Sequence, residues 1–402
     1  MVRWLTGVLA IFALCGTGVG DEDRLRSNVE FMAGQGSRIS GYPGAERTAD
    51  FFLEQFRLIG LDQITEEEFP ITVPIDRGGE LVVVGTGERF PIHGLWPNQA
   101  RTTTLPPEGL DAPLVYGGEG AYREFNGAEL DGSVVLMEFN SWNYWLRAGS
   151  LGALAVVFIE PEETTWRQAE EKFLSVPLDL PRFWIGREGG EVLREHLEKG
   201  ALAVHLQSRM DWEQRVGRNI WGIVPGRDPD LADETIIVEA YYDGISVVPA
   251  LAPSAEMASS AAALLELAHH LEEQPPARTI VLVATGGHFL GQRGIVDFLD
   301  RHARKQKYYA ERMEQPLSPR LFISLDLSTQ TDQVGIWNNT HSYDLKRFFV
   351  PFGRRFTAYM EEVGPRLGRD PEQALVNGIS PIKGMDWSTF VPGGVLLNSQ
   401  TA

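Results

Sequence analysis

The sequence predicts an α/β protein with a mostly parallel central sheet flanked by helices, and with a smaller β-rich α/β domain inserted into the chain. Three near-continuous apolar runs in the second half are typical of parallel strands buried on both faces: TIIVEAYYD, RTIVLVATGG and RLFISLDLS. Helical segments separate these runs, as expected for crossover connections. A connector rich in Pro and Thr, NQARTTTLPPEGLDAP, marks the beginning of the insertion.

The first twenty residues have the features of a secretory signal peptide. Arg3 precedes an apolar run of 11 residues from Leu5 to Cys15, and small residues follow in GTGVG. We expect cleavage after Gly20 and export to the periplasm or the extracellular space. The apolar run is shorter than the roughly 20 residues of a membrane helix, so no stable membrane span is expected. Lipidation at Cys15 is the alternative, although Leu14 stands where a small residue is wanted.

Composition narrows the possible chemistry and partners. Cys15 is the single cysteine, so a mature chain would have no disulfide, thiolate metal site or cysteine nucleophile. The formal charge of −19 becomes −20 when the positive charge of Arg3 is removed with the signal. Such acidity argues against nucleic acid and anionic membranes as partners. A protein or peptide partner of unknown identity is expected, and the oligomeric state is left open.

The pattern of apolar and polar residues divides the mature chain into three segments. Residues 21–104 include an amphipathic helix that ends at Gly60, followed by alternating strands in EEFPITVPI and ELVVVG. Residues 105–210 form the insertion, with short strands and one or two helices. Residues 211–402 carry the three buried strands, and helices are predicted at 256–273 and 294–304.

Polar and aromatic side chains follow the predicted parallel strands. In open α/β sheets, ligands bind beyond the carboxyl ends of the strands. The topology therefore directs attention to four places, which are AYYD with Asp243, GGHFLGQRG, the end of FISLDLS, and GMDWSTF.

The chain resembles the exported zinc aminopeptidase family, which includes glutamate carboxypeptidase, glutaminyl cyclase, the transferrin receptor and nicastrin. GSRISGYPGAERTADFFLEQFRLIGL is similar to its N-terminal R-x-x-G-x-x-G segment and first long helix. FNGAELDGSVVLMEFNSWNYWLRAGSLGALAVVFIEP resembles the protease-associated domain often inserted in that family. The resemblance implies that residues 21–104 and 211–402 form one peptidase-like domain and that residues 105–210 are a protease-associated insertion.

Active members of the family hold two zinc ions with two His and three carboxylates, and a Glu takes a proton from the bridging water. The resemblance places Tyr241 of AYYD at the first His, with Asp243 retained beside the metals. It places Glu256 of SAEMASS at the bridging Asp. In GGHFLGQRG, it places His288 at the general base and Phe289 at the following ligand.

The last two ligand positions lie further along the chain. FISLDLS keeps one as Asp326, whereas GMDWSTF keeps Asp386 and replaces the final His by Trp387. Phenylalanine cannot bind zinc, and a neutral phenol is a poor ligand. The resemblance therefore predicts a degenerate site with no bound cofactor. Zinc or another divalent cation is expected only if the remaining oxygen ligands are remodelled into a new site.

Three functions follow as alternatives. The first is a catalytically degenerate pseudopeptidase that binds or scaffolds a peptide or protein, as the resemblance to nicastrin and the transferrin receptor implies. The second is a metal-dependent exopeptidase that uses a rearranged site of carboxylates and His288. The third assigns the main role to the insertion. Because 15 residues follow Trp387, where the family continues with a further helix, we expect an incomplete C-terminal end.

Overall fold

A computed structural model describes residues 22–98, 101–173, 178–303, 316–317, 319–327, 334–339, 358, 375–377 and 394–398. The predicted signal peptide lies outside these residues. Within them, no helix is both long enough and apolar enough to cross a membrane.

The helices and strands alternate through most of the described chain. The helices are α1 (Glu22–Ala33), α2 (Pro43–Ile59), α3 (Trp145–Ser150), α4 (Trp166–Glu170), α5 (Arg187–Lys199), α6 (Ala258–Glu273) and α7 (Arg293–His302). The strands of the first half are β1 (Asp62–Val83), β2 (Arg89–Gly94), β3 (Leu110–Tyr116), β4 (Val134–Glu138), β5 (Ala155–Ile159) and β6 (Arg182–Ile185). Those of the second half are β7 (Leu202–Val224), β8 (Thr235–Tyr241), β9 (Thr279–Thr285), β10 (Pro319–Asp326), β11 (Val334–Asn339), β12 (Leu375–Asn377) and β13 (Gly394–Asn398).

The chain divides into two compact units. Unit 1 comprises residues 1–71, 215–244 and 253–402, and unit 2 comprises residues 72–214 and 245–252. The predicted insertion, residues 105–210, falls within unit 2. Its identity as a protease-associated domain stays a prediction.

Unit 1 is built on a sheet in which β9, β8 and β10 are adjacent and parallel. Alternate residues of these strands enter two different cores. Val238 and Leu282 pack with helices α2 and α6, whereas Ile237 and Val281 pack with α7 on the other face. Continuous apolar strands are required because neither face meets solvent. This confirms the predicted α/β class with helices on a largely parallel sheet.

In unit 2, β3, β4, β5 and β6 are parallel neighbours in the sheet. Antiparallel strands extend it on both sides, with β2 beside β6 and β7 beside β3. The two strands predicted in EEFPITVPI and ELVVVG are one long strand, β1. The chain continues through Gly78 because this glycine adopts φ +85° and its amide donates to Asp76 Oδ1 at 3.0 Å.

The segment before α2 explains the second glycine of the R-x-x-G-x-x-G pattern. Gly44 lies in the first turn of α2, directly against the preceding loop. A Cβ at this position would overlap the carbonyl oxygen of Ser37 and lie 2.7 Å from that of Gln35. Helix α2 then buries Phe52 and Phe56 against the unit 1 core.

We expect Gly44→Ala to lower the free energy of unfolding by about 1–3 kcal/mol, because the added methyl meets backbone atoms that have little room to move. Helix propensity alone would give the opposite sign, a gain of about 1 kcal/mol. Chemical denaturation measures the change. Gly85→Ala is the matched control, because a Cβ there meets nothing within 4 Å. A Gly44→Ala protein as stable as the control would contradict this account.

Candidate functional site

Three parallel strands of unit 1 end side by side. Tyr241, the last residue of β8, pairs with Thr285, the last residue of β9. On the other side of β8, Ala240 pairs with Leu325, and Asp326 ends β10. This edge is where an open α/β sheet binds ligands. The structure thus brings together the first and fourth predicted ligand positions.

The loop after β9 places two rings against Tyr241. The imidazole of His288 stacks on the Tyr241 ring, with centroids 3.9 Å apart and planes inclined by 24°. The Phe289 ring meets Tyr241 edge-on at 5.5 Å and His288 at 4.8 Å. Aromatic pairs of this kind each contribute about 0.5–1.5 kcal/mol beyond their burial. We call Tyr241, His288 and Phe289 the aromatic trio.

A hydrogen bond joins the aromatic trio to Asp326. The Tyr241 hydroxyl donates to Asp326 Oδ1 at 2.7 Å. Burial raises the pKa of the Tyr241 phenol far above its ordinary value, and the negative charge of Asp326 raises it further. The phenol therefore keeps its proton at neutral pH and acts as a donor to the carboxylate.

His288 is uncharged in this setting. Burial lowers the pKa of its imidazole to about 4, although the Asp326 charge acts in the opposite direction. The half-buried imidazole thus stays neutral across the physiological range. Its backbone N–H donates to Asp243 Oδ1 at 3.4 Å, so the loop is also held through its main chain.

Asp243 connects this loop to the segment before α2. Ser40 Oγ donates to Asp243 Oδ2 at 2.9 Å and accepts the backbone N–H of Gly287 at 2.7 Å. Asp243 is buried, and burial raises the pKa of its carboxyl to about 7 even though the bonds from Ser40 and His288 oppose this shift. We call Ser40, Asp243 and the amides of Gly287 and His288 the Asp243 network.

Arg38 supports the same region through backbone oxygens. Its guanidinium is fully buried and donates to the carbonyls of Tyr242, Pro253 and Ser254 at 2.6–2.9 Å. Burial lowers its pKa to about 10, which still leaves it charged at neutral pH. Sequence reasoning singled out the R-x-x-G-x-x-G pattern but assigned Arg38 no role. The sequence feature that pointed to Arg38 was a charged residue in a loop of mostly small and polar residues.

Glu239 is a further buried acid that sequence reasoning missed. It lies within the apolar strand β8, two residues before Tyr241, and accepts hydrogen bonds from the hydroxyls of Thr285 and Ser324. Burial raises the pKa of its carboxyl to about 7, and the charge of Asp326 adds to the shift. The sequence feature that pointed to Glu239 was a single acid in the apolar run TIIVEAYY, because acids are rarely buried without partners.

The remaining predicted positions are Glu256, Asp386 and Trp387. Glu256 is half-buried in the turn before α6. Asp386 and Trp387 lie outside the described residues. Within the described ranges, no three His, Cys, Asp or Glu side chains are grouped so that they could hold a metal ion. The groups present at Tyr241 and Phe289, a protonated phenol and a phenyl ring, do not fit a two-zinc centre.

Glu239 should make stability depend on pH. The pKa of the Glu239 carboxyl is raised in the folded state. Its contribution to the free energy of unfolding is therefore fully present below the ordinary carboxyl pKa and is lost as pH rises through about 7. We expect Glu239→Gln to remove roughly 2–3 kcal/mol of the decline in unfolding free energy between about pH 5 and pH 8. Denaturant titrations across pH measure this effect. Glu54→Gln, on the exposed side of α2, is the control, and equal slopes in both variants would refute the assignment.

Comparison with known proteins supports the fold. No protein-family model and no curated protein matches the chain. The solved structure of BSAP, a zinc aminopeptidase from Bacillus subtilis, is similar at 18% identity over 95% of this chain and 86% of that chain, with a TM-score of 0.57. A Peptidase M28 precursor from Shewanella amazonensis SB2B is similar at 15% identity over 99% and 88%, with a TM-score of 0.56. The resemblance inferred from the sequence is therefore confirmed for the fold, which is that of the zinc aminopeptidases.

Proposed function

We propose that this protein is a catalytically degenerate pseudopeptidase that acts by binding or scaffolding a peptide or protein. The observation that carries the proposal is the hydrogen bond from the Tyr241 hydroxyl to Asp326, beside the stacked His288 ring. It occupies one oxygen of the carboxylate that the sequence retains at a ligand position. The family resemblance expects two metal ligands and a base at the three positions of the aromatic trio.

Zinc chemistry requires anionic oxygen, thiolate or imidazole nitrogen about 2 Å from each ion. Tyr241 keeps its proton because burial and the Asp326 charge raise its pKa. Phe289 has no lone pair to donate. A metal ion at this edge would have to displace the Tyr241 hydroxyl from Asp326 and would gain no ligand from either ring.

General-base chemistry is also poorly supported. An efficient base has a pKa near the working pH. Burial lowers the pKa of His288 to about 4, so its imidazole is a weak base at neutral pH. Asp243 has a pKa near neutrality, but both of its oxygens accept hydrogen bonds within the Asp243 network.

The same groups suit recognition of a peptide. His288 and Phe289 are half-buried and Asp326 is exposed, so both apolar and anionic groups are accessible at the strand ends. Binding sites generally combine apolar walls with a few fixed polar groups. A peptide amine or amide could donate to Asp326 while an apolar side chain packs against the Phe289 ring.

The metal content of the purified protein tests this proposal. We expect near-zero zinc by elemental mass spectrometry after incubation with zinc and desalting. A variant that combines Tyr241→His, His288→Glu, Phe289→Glu and Trp387→His restores the side chains expected from the family and is the positive control. The folded variant should retain zinc. Circular dichroism checks that it is folded.

The alternative is a metal-dependent exopeptidase with a rearranged site of Glu256, Asp326, Asp386, Asp243 and His288. One or two equivalents of zinc in the unmodified protein, lost on Asp326→Ala or Glu256→Ala, would establish that alternative. Hydrolysis of amino-terminal peptide bonds that a chelator abolishes and metal restores would have the same meaning. Either result would overturn the proposed pseudopeptidase.

A further inference from the structure

Unit 2 contains a second edge at which parallel strands end together. Strands β3, β4 and β5 are parallel neighbours, and the chain leaves them through three loops, 117–133, 139–144 and 160–165. Ligands of open α/β sheets bind at such edges. No role at this edge follows from the function proposed above.

Large aromatic side chains stand exposed on these loops and at the helix starts that follow. Single exposed apolar residues need no explanation, but several together mark interaction sites. We call this set the aromatic loop surface, and its members, with their exposed fractions, are Tyr122 (66%), Trp142 (44%), Tyr144 (38%) and Trp166 (50%).

Arg147 joins the first two loops through the tyrosines. Its guanidinium carbon lies 4.4 Å from the ring centroid of Tyr122 and 3.9 Å from that of Tyr144. Arg147 Nη1 also donates to the carbonyl of Gly120 at 2.9 Å. The two tyrosine rings are thus held by cation–π contacts with a cation from within the protein.

The backbone of Trp142 is held in a conformation that tryptophan rarely adopts. Its φ is +47°, in the left-handed region, which costs about 1–3 kcal/mol for a residue other than glycine. The backbone N–H of Trp142 donates to Gln168 Oε1 at 2.8 Å, and the Trp142 carbonyl accepts a hydrogen bond from Lys172 Nζ at 2.7 Å. Both supporting side chains are buried. Two buried polar groups therefore maintain a strained residue whose indole remains partly in solvent.

Hydrogen bonds also connect the second loop to the third. Asn140 Nδ2 donates to the carbonyl of Glu163 at 2.8 Å, and Thr164 Oγ1 donates to Asn140 Oδ1 at 2.7 Å. Gln168, which holds Trp142, lies in α4, and Trp166 is the first residue of that helix. The exposed aromatic side chains are therefore presented by segments that are fixed to one another.

The charge of these loops is strongly acidic. The three loops contain seven carboxylates and a single arginine, Arg123. Glu160, Glu162 and Glu163 are exposed in the third loop, and Arg187 of α5 lies 3.4 Å from Glu162. Exposed aromatic faces beside an excess of carboxylates are complementary to a ligand that carries several positive charges.

We propose that the aromatic loop surface binds a basic, extended peptide segment of a partner protein. Arginine or lysine side chains of that segment would stack on Trp142 and Trp166, and the loop carboxylates would neutralise their charge. This proposal is independent of the pseudopeptidase proposal, because it involves unit 2 alone and no residue of the candidate site in unit 1.

Calorimetric titration with two blocked octapeptides tests the proposal, one of alternating Arg and Gly and the other of alternating Glu and Gly. We expect the Arg peptide to bind the full mature chain, the Glu peptide not to bind, and salt to weaken the interaction. Trp142→Gly and Trp166→Ala should each reduce affinity about 5–10-fold, the size of one cation–π contact. Glycine tolerates the positive φ at position 142, so Trp142→Gly should not lower the melting temperature.

Trp212→Ala is the matched control. This tryptophan is 40% exposed on β7 of the same unit and lies outside the three loops. Affinity within about twofold of the unmodified protein is expected for it, since no cation–π contact of the surface is removed. Absence of Arg-peptide binding, or an equal loss in Trp212→Ala, would overturn the proposal. Binding of a neutral oligosaccharide such as cellohexaose in place of the Arg peptide would also overturn it.

Discussion

The carboxyl group of Asp243 ties three segments of unit 1 together at the carboxyl edge of its sheet. It follows β8, accepts Ser40 Oγ from the segment before α2, and accepts the His288 amide from the loop after β9. A buried carboxyl is costly unless its oxygens are satisfied, so the arrangement favours one loop geometry over others. Gly287 completes the Asp243 network, because its amide donates to Ser40 and its φ of +67° turns the chain toward His288.

This network acts on backbone groups, and therefore it leaves the loop side chains free to differ without loss of the fold. His288 and Phe289 project from a loop that the main chain holds in place, and their rings pack against Tyr241. The Tyr241 hydroxyl satisfies Asp326. Architecture and chemistry are thus separable here: the fold resembles that of the zinc aminopeptidases, while the rings at these strand ends pack against one another.

The fold class could be predicted because strands β8, β9 and β10 read as unbroken apolar runs, which physical chemistry allows only where both faces are covered. The neighbours of the candidate site were also predictable, since residues that end parallel strands meet at one edge. Glu239 was not predicted, because one acid in an apolar strand does not reveal which hydroxyls satisfy it. The role of Arg38 was not predicted for a related reason. Its three hydrogen-bond acceptors are backbone oxygens, which carry no sequence signature.

The α/β alternation, the acidic charge and the residue types at the strand ends can be read from the chain alone, because hydrophobic periodicity and composition are local properties of the sequence. How those residues interact depends on the folded arrangement of the chain. The stacking of His288 on Tyr241 and the raised pKa of Asp243 arise from burial among segments distant in sequence. The left-handed conformation of Trp142 likewise depends on Gln168 and Lys172, which reach it from the following helical region and have no local signal in the sequence.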